Sequence, residues 1–102
     1  MHRYEIRIEK LRIVQTAGVA ADAERIPGMR EMITDSIGRF IAHDWGTVSE
    51  SSGEMNDESL DTGDDILGIY PISEKKDIWI CLDPATSPGA ERIMTILYPD
   101  EY

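Results

Sequence analysis

The chain has 102 residues, 41% of them hydrophobic, with two Trp and four Tyr, and carries 20 acidic against 10 basic side chains, a formal charge of −10. That length supplies one modest core and excludes separate cofactor and substrate domains, and the apolar content is that of a folding chain. No run approaches the ~20 apolar residues of a membrane span, and the N-terminus MHRYEIRIEK lacks the apolar stretch of a signal peptide, so a cytoplasmic protein is expected.

Tyr4, Ile6 and Ile8 alternate with Glu5, Arg7 and Glu9, the period-two pattern of a half-exposed strand, which Leu11, Ile13 and Val14 extend. Ala17 to Glu24 is rich in helix formers and predicts a short helix ended by Ile26-Pro27-Gly28. From Pro27 to about His43, Met29, Met32, Ile33, Ile37, Phe40 and Ile41 recur at spacings of three and four, which predicts an amphipathic helix with Pro27 near its first turn.

Next comes HDWGTVSESSGEMNDESLDTGDD, residues 43–65, with eight carboxylates and no lysine or arginine. Ser51-x-x-Glu54 has the form of a capping box and Gly63 suits the left-handed position that closes a helix, so residues 51–62 are read as a short acidic helix. Three apolar stretches follow, ILGIYPI, DIWICLD and ERIMTILY, each with the length and composition of a strand and separated by the turns SEKKD and PATSPGA. Pro71 restricts the first to an edge or bulge.

The expected architecture is therefore an α+β single domain over residues 1–102. An N-terminal strand and short helix (1–26) precede a helical segment containing the acidic helix (27–63), and a three-stranded antiparallel meander (64–102) completes it. Two or three helices cover one face of the sheet.

The charge is unevenly spread. Residues 1–39 hold seven bases and six acids, residues 40–74 nine acids and no base, and residues 75–102 three bases and five acids. Such a field repels nucleic acid and anionic membranes and favours a basic protein surface. If residues 50–61 are helical, Glu50, Glu54, Asp57 and Asp61 fall at i, i+4, i+7 and i+11, one stripe flanked by Glu58 and continued by Asp64 and Asp65. Like charges at i, i+4 cost an isolated helix roughly 0.2–0.5 kcal/mol per pair, so the stripe is not there for helix stability. Its spacing of about one turn, ~5.4 Å, is comparable with that of successive phosphates on a nucleic-acid strand. A solvated face that confers solubility is the competing reading.

Catalytic and metal patterns are weak. NDESLDTGDD does not match the ligand spacing of a calcium loop, and Asp61, Asp64 and Asp65 read better as a solvated helix end. His43-Asp44 offers an imidazole and a carboxylate where a transition-metal site needs three or four ligands; the simpler reading places His43 in the last helical turn. Cys81, the only cysteine, excludes an internal disulfide and reads as a buried, inert thiol, while Trp45 and Trp79 read as core residues. No nucleophile elbow or phosphate loop is present, and no cofactor is implied.

Asp44-Trp45-Gly46, then Asn56, an apolar run ending at Tyr70, the triplet Ile78-Trp79-Ile80 and the C-terminal TILYPDEY together resemble a family of short bacterial proteins carried on plasmids, integrated conjugative elements and phages. Its members are labelled "plasmid-related protein" or, doubtfully, a type I restriction subunit. The resemblance covers residues 37–102 and departs at DPATSPGA, where the family tends to have a tighter link containing Asp-Arg. It implies carriage on mobile DNA and no defined activity; small acidic proteins encoded there often inhibit host defence, an argument by analogy. The expected function is non-catalytic binding of a basic surface on a nucleic-acid-handling protein, of anti-CRISPR or anti-restriction type, through Glu50, Glu54, Asp57, Glu58, Asp61, Asp64 and Asp65. Alternatives are a small metal-dependent hydrolase or nuclease-like enzyme using His43 and Asp44, and a plasmid-maintenance accessory protein. A homodimer is left open.

Overall fold

A computed structural model describes residues 2–102. The elements are β1 (Leu11–Gln15), α1 (Ala17–Arg25), α2 (Met29–Ile41), α3 (Glu50–Thr62), β2 (Ile66–Pro71), β3 (Asp77–Leu82) and β4 (Arg92–Leu97), with single 3-10 turns at Ile8–Lys10 and Pro99–Glu101. The result is an α+β domain with three helices and one four-stranded sheet.

The sheet order is β1-β4-β3-β2. β2 pairs antiparallel with β3 and β3 with β4, while β1 runs parallel to β4 in the register Leu11 to Arg92 through Gln15 to Ile96. The sheet is thus mixed, whereas a meander with an accessory strand was expected. A parallel neighbour needs a long crossover, and here α1, α2, α3 and the β2–β3 hairpin all lie between β1 and β4.

The N-terminal strand is shorter than its alternation suggests. Residues 4–7 are not paired as a strand: the Tyr4 N–H donates to the Leu60 carbonyl at 2.8 Å, Ile6 is buried and Ile8 is exposed in the 3-10 turn. Alternation reports that two faces differ, not that a neighbouring strand is available, and this segment crosses the end of α3 instead.

α1 begins at Thr16, whose hydroxyl accepts from the Val19 N–H, and stops at Ile26 before Pro27. Gly28, at φ 82°, turns the chain into α2, which buries Met29, Ile33, Ser36 and Phe40. These meet the inner face of the sheet, formed by Ile66, Gly68 and Tyr70 on β2, Ile78, Ile80 and Leu82 on β3, and Met94 and Ile96 on β4. The opposite face is half-exposed: Leu67, Ile69, Trp79, Cys81, Ile93 and Thr95 lie on it, and Tyr102 packs edge-on against Trp79 with ring centroids 5.3 Å apart. Trp79 and Cys81, read from sequence as core residues, therefore belong to this outer face. A strand inside an apolar run has two faces, and only one of them joins the core.

Gly46 brings the loop after α2 against β2. A Cβ there would lie 1.8 Å from the Ile69 carbonyl oxygen, and φ is +77°. Gly46→Ala should therefore lower the unfolding free energy by more than the ~1–2 kcal/mol that a left-handed backbone alone costs a side chain. Gly28→Ala, equally left-handed but facing open space, should lose only that strain cost; urea denaturation of both variants checks the contrast.

Candidate interaction surface

α3 carries the acidic stripe, and its ends are set locally. The Ser49 hydroxyl caps the first turn by accepting from the Ser52 N–H at 3.2 Å, and Gly63, at φ 82°, closes the helix with its N–H on the Ser59 carbonyl. The expected capping box at Ser51 and Glu54 is displaced: α3 starts at Glu50, and both residues lie inside it. Two serines compete for the cap, and the chain leaving the β2 edge at Thr47 reaches its turn at Ser49 first.

One face of α3, Asn56, Ser59 and Leu60, is buried. Asn56 sits beside the outer edge of β2, where its amide Nδ2 donates to the Leu67 carbonyl at 2.8 Å and its Oδ1 accepts from the Leu67 N–H at 3.4 Å. Two positions along the same edge, the Ile69 N–H donates to the Trp45 carbonyl at 3.0 Å and the Thr47 N–H to the Ile69 carbonyl at 2.9 Å.

The rest of the DWG segment locks this junction. The Trp45 ring is buried, packs edge-on against Phe40 and lies parallel to His43, and its indole N–H donates to Asp57 Oδ1 at 2.9 Å. The Asp44 carboxylate accepts from Arg39 Nε at 2.8 Å and from the Gly46 N–H at 3.1 Å. Those two bonds, Arg39 foremost, hold the Asp44 carboxyl below the usual carboxylate range. The buried Tyr70 hydroxyl donates to the Asp44 carbonyl at 2.7 Å, and the Arg39 guanidinium lies over the Tyr70 ring, 5.1 Å from its centroid. The Asp, Trp, Gly, Asn and Tyr of the sequence pattern are thus one connected set of contacts fastening α3 and its entry loop to β2.

Glu50, Glu54, Asp57, Glu58, Asp61, Asp64 and Asp65 are all exposed. Asp57 and Asp61 also hold internal partners, Trp45 and His2 respectively, and Asp64 accepts from the Thr62 hydroxyl at 3.0 Å. Glu50, Glu54 and Glu58 have no ion-pair partner among the described residues. Beside them a groove of about 510 Å³ runs between α3 and the β2 edge, with Val48, Met55, Leu67 and Ile69 as its apolar part and Glu58, Asp64 and Asp65 on its lining. Met55 is 66% exposed.

Arg92 is a structural group the sequence did not announce. It is buried, donating from Nε and Nη2 to the Asp83 carbonyl and from Nη2 to the Asp64 carbonyl, and burial lowers its pKa from the usual value. It ties the exit of α3 to the β3–β4 loop. Its only sequence signal is a charge at the start of an apolar strand. Asn56 has a clearer one: an amide sharing a helix face with Leu60, where an apolar residue is ordinarily expected.

His43 lies beyond α2, at φ 68°, not in its last turn. Asp44 turns to Arg39 and Gly46 rather than joining it; instead His2 and Glu5 come to His43. Asp61, Asp64 and Asp65 do not converge as a ligand set among the described residues. Burial, aided by Asp65 and Asp83, pushes the Cys81 thiol up to about 11, which keeps it protonated and weakly nucleophilic at neutral pH. No described helix is long and apolar enough to cross a membrane. No protein-family model, curated protein or solved structure matches the chain.

On the far side of the domain, the Asp22 carboxylate accepts from the Tyr98 hydroxyl, from Arg25 Nη2 at 2.8 Å and from Lys76 Nζ at 3.4 Å. These partners, Tyr98 first, lower its pKa from 3.8 to about 2. A carboxyl depressed by folding contributes stability that is complete above its unfolded value and is lost as the pH falls through the folded one. Asp22→Asn should therefore be less stable than the parent at pH 6, with the gap closing between pH 4 and 2; thermal unfolding across that range measures it.

Proposed function

We propose that the exposed acidic face of α3, with Asp64 and Asp65, is a docking surface for a basic, nucleic-acid-binding surface of another protein, and that the chain acts without catalysis by occupying that surface. The observation that carries this reading is the placement of Glu50, Glu54, Asp57, Glu58 and Asp61 in solvent on a helix fastened to the sheet along its opposite face, with Asp64 and Asp65 exposed just beyond its C-terminal end. A carboxylate row that is ordered before binding loses little entropy on docking. A helix of 13 residues presents it over ~20 Å at 1.5 Å per residue.

The groove adds an apolar component. Met55, Val48, Leu67 and Ile69 beside an acidic rim give the composition of an interface, with desolvated contacts at the centre and charge at the edge. Inhibition of a CRISPR effector or a restriction enzyme, carried by a mobile element, is the concrete form of this function. The charge supplies encounter rate and selectivity, and the groove supplies residence time.

Glu50, Glu54 and Glu58 separate binding from folding because none holds another part of the chain. The test is capture of basic host proteins on the immobilised chain under a salt gradient, with duplex DNA as competitor. A partner released by salt and displaced by DNA is expected, with affinity falling by at least about tenfold in the Glu50→Lys, Glu54→Lys, Glu58→Lys triple variant, whose thermal midpoint should not fall. Retention of that partner by the triple variant at unchanged strength would refute the reading.

A further inference from the structure

We infer that His2, Glu5 and His43 form a binding site for a divalent transition-metal ion of the zinc class, which clips the N-terminal segment to the junction of α2 and α3. The inference is independent of the partner proposed above. One ligand atom from each of the three residues lies within 4.8 Å of the others, the one such convergence among the described residues. Two imidazoles and one carboxylate suit zinc and its first-row neighbours, whereas calcium and magnesium take oxygen ligands.

The site is built around His43. Its ring is fixed by parallel packing on Trp45, with centroids 5.7 Å apart and planes at 20°, and by a backbone in the left-handed region at φ 68°. A non-glycine residue held there is strained and persists where its surroundings demand it. The His43 Nε2 atom is buried and lies 2.9 Å from Glu5 Oε1, yet off the line of a hydrogen bond, so that nitrogen has no hydrogen-bonding partner. A buried ring nitrogen without a hydrogen-bonding partner, beside a carboxylate oxygen, is a half-assembled coordination sphere.

His2 supplies the third ligand. Its Nδ1 lies 2.9 Å from Asp61 Oδ1, leaving Nε2 for a metal, and the two histidine rings stand 5.7 Å apart. A carboxylate behind a ligating histidine fixes the tautomer and ring orientation and raises the basicity of the coordinating nitrogen. Metal–nitrogen distances near 2.0–2.1 Å set neighbouring ligands ~3.3 Å apart in a tetrahedron. The Glu5–His43 pair is already at that range, and the exposed His2 closes the remainder by side-chain rotation. The fourth position is left to water. As ordinary ion pairs these contacts, each with a half-exposed partner, would add little to stability. A metal joining them would tie residues 2–5 to the loop after α2, and through Asp61 to α3.

The test uses the full chain with its own untagged N-terminus, stripped of metal and titrated with ZnCl2 by calorimetry at pH 7.5, alongside His2→Ala, Glu5→Gln and His43→Gln. One Zn2+ per chain is expected, with affinity reduced at least about tenfold in each variant, a higher unfolding temperature of the parent with Zn2+, and no equivalent response to Mg2+ or Ca2+. His2→Ala keeps the test decisive even if His43→Gln fails to fold, because the His2 side chain is exposed. Absence of saturable Zn2+ binding, or binding that His2→Ala and Glu5→Gln leave within about twofold of the parent, would overturn the site.

Discussion

The outer edge of β2 must be hydrogen-bonded by something other than a strand. A helix packed there would otherwise bury backbone N–H and C=O groups at a cost of roughly 1–3 kcal/mol each. Asn56 meets that demand from within α3: its side-chain amide offers one donor and one acceptor, the same pair a neighbouring strand would present, and takes both polar groups of Leu67. The Trp45–Thr47 segment does the same for Ile69 with its own backbone. Between them an edge open to pairing with another chain becomes the seat of the acidic helix.

That seat explains how a helix with so many like charges stays folded. Glu50–Glu54, Glu54–Glu58 and Asp57–Asp61 are i, i+4 pairs, each repelling by roughly 0.2–0.5 kcal/mol. Burial of Leu60, worth ~1.5–3 kcal/mol, with the Asn56 bonds and the Ser49 and Gly63 caps, outweighs the repulsion. Asp57 and Asp61 are drawn into the structure by Trp45 and His2 without leaving solvent. The surface charge is therefore held by tertiary contacts, and it is as rigid as the DWG junction beneath it. Arg92 gives the same end of the domain a cation that is spent inside, on the carbonyls of Asp64 and Asp83, so it does little to offset the acids that solvent meets.

Much of the architecture was legible from local chemistry. α1, α2, α3 and strands β2 to β4 fall where Pro27, the three-and-four spacing of α2, Gly63 and the apolar runs put them, because each signal acts within one turn or one strand. The parallel pairing of β1 was not legible, since alternation says nothing about which neighbour a strand finds. Nor were the half-buried positions of Trp79 and Cys81 on the outer face, because an apolar run does not disclose which of its two faces is covered.

For the surface itself, sequence alone determined the sign and density of charge, the absence of bases from residue 40 to 74, and the helical register that lines the carboxylates up. Only the tertiary structure decided that Asp44 serves Arg39 rather than His43, that Asn56 stands in for a strand, and that His2 and Glu5 gather at His43 across more than 35 residues of chain. The division has a physical cause. Charge and helix periodicity are properties of neighbouring residues, whereas a hydrogen bond or a ligand set between distant residues exists only once packing has fixed the distances.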